Sequence, residues 1–236
     1  MTKDMRNWIL EMGKVRIEAP AVVAALRGDA VDGARKAEML GADLVEVRLD
    51  LTDGDPLQTI KMVREVTTLP VIATNRMREE GGAFEGGEEE RIELLIEAAE
   101  WADLVDVEMR SDLRERLMDD VETPVIVSYH DFRSMPTLDE LRSLRDEIFD
   151  AGADVAKIAA TPPGLEEGLD LLRLLLETRR PLCVIGMGEA GRHLRAVAPI
   201  YGSVFTYGHV GEVTAPGQMS VGELRQILRA LMDGPV

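Results

Sequence analysis

The sequence predicts an α/β fold, a closed (β/α)8 TIM barrel, and three observations support this prediction. Eight short runs rich in β-branched residues alternate with longer stretches of helical period along the 236 residues. Successive runs start 21 to 33 residues apart, which is about the length of one βα unit. An Ala-Asp pair precedes a strand at 42–48, 102–108 and 153–159, as a barrel of similar units predicts. An open doubly wound sheet is the alternative, but the strand number and even spacing favour the closed barrel.

The elements follow one another in regular order. The predicted strands are residues 21–26, 44–50, 71–76, 104–109, 125–130, 154–160, 182–188 and 203–208. The clearest helical segments between them are 88–101 and 137–152, and 220–232 is the predicted eighth helix. Thr137 and Asp139 supply N-cap chemistry for the helix over 137–152, and Gly152 follows its end as a C-cap.

The chain has no Pro/Gly/Ser-rich linker, so we expect residues 1–236 to form one barrel domain. Residues 1–20 precede the first unit, and we expect them to close the bottom of the barrel. No apolar run approaches the roughly 20 residues of a membrane span, and the N-terminus lacks the pattern of a secretory signal. The lone cysteine, Cys183, excludes an internal disulfide framework and lies in an apolar run, where we expect it to be buried. These features predict a cytoplasmic protein.

The charge balance limits the classes of partner. A formal net charge of −17 argues against nucleic acid and anionic membranes, because both need a cationic face. Only five of the 27 basic residues are lysines. Abundant acid with few lysines is typical of salt-adapted proteins, whereas a GC-rich genome would favour arginine through codon usage. The composition leaves both explanations open.

Ionisable residues interrupt strands that should be almost wholly apolar if both faces are buried. We expect each of them in the C-terminal half of its strand, the half that faces the catalytic mouth of a barrel: Glu46, Arg48, Arg76, Asp106, Glu108, His130 and Lys157. Any one of them could be a structural ion pair between strands. Seven converging on one rim predict a polar, partly cationic pocket, because buried charges are costly unless they pair or bind a ligand.

Lys157 and His130 are the candidates for chemistry within this set. Lys157 is the only lysine inside a predicted strand, where flanking Ala and Ile remove hydration. Together with a neighbouring Arg48 or Arg76, this would favour the neutral amine that attacks a carbonyl. His130 is a natural proton carrier near neutral pH. The alternatives are a lysine that extends to the barrel mouth and a structural histidine.

Other sites are weaker. The glycine-rich segment 81–87 is crowded by glutamates, whereas a phosphate-binding loop needs the opposite charge. His130, His193 and His209 lack zinc-site spacing, and no G-x-G-x-x-G follows a strand. We therefore expect no metal and no nucleotide cofactor.

The residues that carry this chemistry resemble those of the type I 3-dehydroquinate dehydratases of the shikimate pathway, over most of residues 20–232. Seven short motifs occur in the family's order, each at its expected strand or loop. They are EVRLD (46–50), Arg76 with EGG (80–82), VDVE (105–108), SYHDF (128–132), VAKIA (155–159), Met187 with Gly191 and Arg195, and APGQ (215–218).

The resemblance implies dehydration of 3-dehydroquinate to 3-dehydroshikimate, a small-molecule reaction without cofactor or metal. Lys157 would form the Schiff base, His130 would move protons, and Glu80 would orient His130. The substrate-binding set that the resemblance implies is Glu46, Arg48 and Arg76 for the ring hydroxyls, Arg195 and Gln218 for the carboxylate, and Thr214 nearby.

Two positions depart from the family pattern. Leu194 and Thr214 stand where the family has serine; Thr214 keeps the hydroxyl, and Leu194 is assigned no role. A class I aldolase, which would lack the SYHDF and APGQ pair, and a non-catalytic barrel are the competing functions. The sequence also leaves a homodimer open.

Overall fold

The parallel strands lie at the centre of the fold, preceded by a short hairpin. The computed structural model describes residues 8–213, 215 and 217–232. Strands β1 and β2, Trp8–Met12 and Val15–Ala19, form an antiparallel hairpin. The parallel strands are β3 Ala21–Gly28, β4 Leu44–Thr52, β5 Val71–Thr74, β6 Leu104–Glu108, β7 Val125–Asp131, β8 Val155–Ala160, β9 Leu182–Gly186 and β10 Phe205–His209.

The eight parallel strands curve into a barrel. They pair in the order β10, β3, β4, β5, β6, β7, β8 and β9. The two outer strands meet through residues beside β10: the backbone N–H of Val204 donates to the carbonyl of Leu182 at 3.0 Å, and that of Val184 donates to Oγ of Ser203 at 2.9 Å. The predicted (β/α)8 barrel is confirmed.

Helices follow the strands and cover the outside of the barrel. They are α1 Ala30–Met39, α2 Pro56–Val66, α3 Glu88–Ala99, α4 Arg114–Asp120, α5 Leu138–Asp150, α6 Leu165–Glu177, α7 Gly188–Gly191, α8 Leu194–Val197 and α9 Val221–Met232. At α5 the predicted cap is confirmed, because Thr137 and Glu140 form a reciprocal capping box. Asp139 lies in the first turn instead and pairs with Arg142. Within the described residues, no helix combines the length and apolarity that crossing a bilayer requires.

Most strand ends differ from the prediction by one or two residues, and two of these differences matter for the site. β5 ends at Thr74, so Arg76 lies in the following loop, where its backbone N–H donates to the Asp50 carboxylate at 3.3 Å. β4 continues to Thr52, which places Glu46 in the first half of its strand. The expectation that every charged residue lies in the second half was therefore wrong for Glu46, and also for Lys157, which is the third of the six residues of β8.

The barrel interior is layered, because alternate side chains of each strand point inward. At the N-terminal ends of the strands the inward side chains are apolar, namely Leu44, Ile72, Leu104, Ile126 and Val155. They share one buried cluster with Leu10, Met12 and Ile17 of the hairpin, which thus packs beneath the barrel. Two residues further along the same strands stand Glu46, Thr74, Asp106, Ser128 and Lys157, all buried. The polar interior therefore begins near mid-barrel.

Candidate active site

A cavity opens at the C-terminal ends of the strands and brings the predicted site residues together. Its lining includes the predicted catalytic and substrate-binding residues that the structure describes, namely Glu46, Arg48, Arg76, Glu80, His130, Lys157, Arg195 and Gln218. Asp106 and Glu108, which we also expected at this pocket, are buried and do not line it. Thr214 lies outside the described residues. Phe132, Met187 and Tyr207 add an apolar part to the wall. The site thus combines acids, cations and apolar surface within one enclosure.

Lys157 lies near the centre of the barrel on β8 and is 3% exposed. Its Nζ lies 2.8 Å from Oδ2 of Asp106 and 3.5 Å from Oε1 of Glu46. The ring centroid of Tyr207 is 4.2 Å from the same nitrogen. We predicted that a neighbouring arginine would favour the neutral amine; that protonation state stays a prediction, and the charged groups in contact with Nζ are carboxylates. The groups in contact with Lys157 attract positive charge, because register places two carboxylates beside it.

Asp106 links Lys157 to a chain of buried ion pairs. Its Oδ1 lies 2.9 Å from a terminal nitrogen of Arg76 and accepts the Ser128 hydroxyl at 2.6 Å. Arg76 also donates to Glu108 at 2.8 Å, and Glu108 in turn receives Arg91 at 2.8 Å. Burial opposes ionisation of Asp106, but the charges of Arg76 and Lys157 outweigh it and hold the pKa of the carboxyl well below its usual range.

The same contacts fix Arg76. Burial disfavours its charge, but Asp106 and Glu108 more than compensate and raise its pKa. Two carboxylates and one hydroxyl thus hold the guanidinium in place before any ligand enters. Its freedom to turn toward a ligand is correspondingly small.

Glu80 holds His130 in a fixed orientation. Oε2 of Glu80 lies 2.9 Å from the ring Nδ1 of His130 and accepts its backbone N–H at 2.8 Å. Glu80 ends a short 3-10 turn, Arg78–Glu80, and Gly81 follows in the left-handed region at a φ of 84°. A Cβ on Gly82 would lie 1.8 Å from the Arg76 carbonyl oxygen, so only glycine fits there.

Burial sets the charge state of this pair. It raises the pKa of Glu80 to about 7, although the charge of Arg76 opposes the shift. Burial, followed by the charges of Arg76 and Lys157, lowers the pKa of His130 well below its usual value. His130 is therefore neutral at pH 7. Since its Nδ1 faces a carboxylate, the hydrogen-bonding pattern assigns the proton to Nδ1 and leaves Nε2 basic.

Arg48 is oriented by a residue that the sequence analysis did not single out. Two nitrogens of Arg48 donate to the two carboxylate oxygens of Asp50 at 2.8 and 2.7 Å. Asp50 also accepts the backbone N–H groups of Arg76 and Ala83. Burial opposes ionisation of Asp50, but these bonds and the Arg48 charge lower its pKa. Asp50 therefore ties Arg48 to the loop that carries Glu80.

Arg195 lies in the wall of the cavity, on α8, and is 2% exposed. Burial lowers its pKa to about 10, so it remains charged at neutral pH. Gln218 is also buried and lines the same cavity. Leu194, the residue before Arg195, is fully buried in the apolar cluster between barrel and helices, where it lies against Gly186. Leu194 is thus a packing residue.

The sequence analysis missed the contacts of Asp106, Asp50 and Tyr207. Asp106 was visible as a charge in a strand, but nothing in its neighbourhood along the chain points to Lys157. Tyr207 looks like an ordinary strand residue, and only its period of two from buried Phe205 indicates that it faces inward. Cys183 is buried as predicted, and burial raises the pKa of its thiol to about 12. Within the described part of the chain, no group of three His, Cys, Asp or Glu side chains could hold a metal ion.

The fold is a (β/α)8 barrel. Its C-terminal mouth contains a buried lysine, a histidine hydrogen-bonded to a carboxylate, and an arginine. Together these features define a class of barrel enzymes. The particular family follows from comparison with known proteins. The family model for type I 3-dehydroquinase matches residues 21–235. The chain belongs to this family.

Individual relatives agree with the family. The chain is 50% identical to the 3-dehydroquinate dehydratase of Methanothrix thermoacetophila over 222 residues, which cover 94% of this chain and 96% of that one. The crystal structure of 3-dehydroquinate dehydratase from Geobacillus kaustophilus has a TM-score of 0.88 at 25% identity and covers 97% of this chain and 98% of its own. The type I enzyme of Clostridium difficile, described with covalent modified comenic acid, has a TM-score of 0.84 at 25% identity, with 95% and 98% covered.

Proposed function

We propose that this protein is a 3-dehydroquinate dehydratase, a hydro-lyase that forms 3-dehydroshikimate through an imine on Lys157. The observation that carries the proposal is the position of Lys157, buried within a polar cavity and in contact with two carboxylates. Membership of the type I 3-dehydroquinase family supports the choice of substrate.

The proposed reaction begins at the lysine. The amine of Lys157 attacks the C3 carbonyl, and loss of water gives an iminium ion. Asp106 and Glu46 attract the positive charge on that nitrogen as they attract the ammonium ion. The iminium draws electrons from the C2–H bond and makes its proton acidic. The barrel therefore needs only its own side chains to activate C2.

His130 is proposed to carry the proton. Its basic Nε2 takes the C2 proton, and the resulting imidazolium returns a proton to the hydroxyl that leaves as water. Glu80 receives Nδ1–H throughout and keeps the ring in one tautomer. Water then hydrolyses the imine and frees the amine. One water is consumed for the one released in imine formation, so the net change is loss of one water from the substrate.

The remaining residues are proposed to position the ring. Arg195 and Gln218 bind the substrate carboxylate, with Thr214 beside them, because buried Arg195 supplies the opposite charge. Glu46, Arg48 and Arg76 bind hydroxyl groups. Of these, Arg48 is oriented by Asp50, which accepts from two of its three nitrogens, and the proposal assigns the third to the ring.

The test is covalent trapping combined with an optical assay. Sodium borohydride added with 3-dehydroquinate should attach one ligand mass to Lys157 and inactivate the protein. Lys157→Ala should abolish both the label and the near-ultraviolet absorption of the conjugated product. Lys61→Ala, which changes a partly buried lysine on α2 outside the cavity, is the matched control and should keep both. An aldolase would also be trapped but would form no conjugated enone. An unlabelled Lys157 under turnover would refute the imine.

We further propose that the enzyme works in the cytoplasm on this small molecule, without nucleic-acid or membrane partners. The net charge of −17 supports the second part, because it repels both polyanions. A homodimer stays a prediction, to be tested by the molar mass in solution.

A further inference from the structure

Tyr207 lies against the central lysine without a part in the mechanism described above. It is the third residue of β10, two positions after buried Phe205, so its side chain points into the barrel. Its ring centroid is 4.2 Å from Nζ of Lys157, within the distance at which an aromatic face attracts a cation. The ring also forms part of the cavity wall. Tyr207 is therefore close to the nitrogen that would bond to substrate.

The hydroxyl of Tyr207 is unsatisfied. It is buried, and no hydrogen-bond partner for it exists among the described residues. Leaving a buried hydroxyl without a partner is unfavourable, whereas phenylalanine would fill nearly the same space at no such cost. A buried hydroxyl that has no partner in the protein and lies beside a ligand cavity indicates that the ligand supplies the partner.

The protonation state of this hydroxyl makes it a donor. Burial, reinforced by the negative charges of Glu46 and Asp106, raises the pKa of Tyr207 well above its usual value. The phenol therefore keeps its proton at neutral pH. It can offer that proton to a carbonyl, hydroxyl or carboxylate oxygen.

We propose that Tyr207 is a further substrate-contacting residue, with a separate task for each part of its side chain. The ring face stabilises the cationic nitrogen of the lysine adduct, and the hydroxyl donates a hydrogen bond to an oxygen of the bound hydroxylated keto acid. The proposal rests on the imine at Lys157. It adds an aromatic contact to the two carboxylates that already surround this nitrogen.

Two substitutions separate the two tasks. Tyr207→Phe keeps the ring and removes the hydroxyl, so KM should rise about fivefold, as for loss of one neutral hydrogen bond, while kcat stays within about threefold. The product-induced rise in Tm should shrink in parallel. Tyr207→Leu removes the ring as well, and kcat together with the rate of borohydride trapping should fall by about a further tenfold. Tyr201→Phe, on a partly exposed tyrosine away from the cavity, should match the wild type.

Other outcomes of the same experiments would overturn the role of the hydroxyl or the role of the ring. If the hydroxyl is only an unsatisfied core atom, Tyr207→Phe will raise Tm, leave KM within about twofold of wild type, and overturn its part of the proposal. If Tyr207→Leu kept the kcat and the trapping rate of Tyr207→Phe, the part of the proposal assigned to the ring would be overturned. Tyr207→Met, with an adaptable side chain, replaces Leu if circular dichroism shows partial folding. Failure of the wild type itself to be trapped would refute the imine instead, so the two failures are distinguishable.

Discussion

Asp106 holds Lys157 by an ion pair of 2.8 Å in the interior of the barrel, and its second oxygen holds Arg76 at 2.9 Å. Asp106 is fully buried, and both cations are almost so. A single carboxylate therefore separates two positive charges that would otherwise repel each other at short range. This arrangement makes the carboxylate a requirement of the folded state as well as of the proposed chemistry.

Replacing Asp106 by asparagine should destabilise the protein strongly. Asp106→Asn keeps the shape but leaves Arg76 and Lys157 buried without their shared counter-charge. The free energy of unfolding, measured in urea, should fall by about 3–5 kcal/mol. Asp32→Asn breaks an exposed ion pair with Lys36 on α1 and should change it by less than about 1 kcal/mol.

Asp106→Asn should also alter how the free energy of unfolding falls at acid pH. Because the pKa of Asp106 is lowered in the folded state, its contribution is complete above about pH 4 and is lost as pH falls below that value. Asp106→Asn should therefore lose less stability than the wild type between about pH 4 and pH 2. If the free energies of unfolding of the two proteins fell in parallel over this pH range, the role assigned to Asp106 would be contradicted.

His130 should be needed for turnover but not for imine formation. His130→Ala removes the base at C2, so kcat should fall by roughly 10²–10⁴. Borohydride should still attach substrate to Lys157, because the amine is unchanged. His193→Ala alters an exposed histidine beside α8 and serves as the control. Activity of His130→Ala within about threefold of wild type would exclude the proposed proton transfer.

Glu80 should impose a pH dependence near neutrality. With a pKa of about 7, it is mostly protonated at pH 6 and ionised at pH 8. Only the carboxylate accepts both His130 hydrogen bonds well, so kcat should rise across this range with a midpoint near pH 7. Glu80→Gln cannot ionise, and its kcat should be lower and nearly constant over the same range. A wild-type profile that is flat from pH 6 to 8 would contradict this assignment.

The acidic surface predicts a response to salt. Screening relieves repulsion among acidic side chains in a chain of net charge −17. The melting temperature should therefore rise from low salt to molar KCl, and NaCl should act alike because screening depends on ionic strength. A constant or falling melting temperature would favour the codon-usage explanation for the shortage of lysines.

The sequence contained enough information for the barrel because strand spacing and apolar runs are local properties. It did not predict where strands end: β5 stops at Thr74, and the backbone N–H of Arg76 donates to the Asp50 carboxylate instead of to a neighbouring strand. It also did not predict the neighbours of Lys157. Asp106 is 51 residues away and lies two strands across, so only barrel closure and register bring the two together.

The family motifs supplied most of the site, because each fixes a residue at a strand end or loop. The positions that depart from the motifs could not be explained from the sequence alone. Leu194 is accounted for by its place between Gly186 and the outer helices, where a small polar side chain would leave a void. Thr214 lies outside the described residues, and its role stays a prediction.

The hairpin beneath the barrel limits the route by which molecules enter and leave the site. Leu10, Met12 and Ile17 join the apolar layer at the strand N-termini, so the lower end of the barrel is sealed by hydrocarbon. Substrate, product and water must then all pass through the upper mouth. In the proposed reaction, the water that imine formation releases and the water that later cleaves the imine would use the same mouth as the ligand.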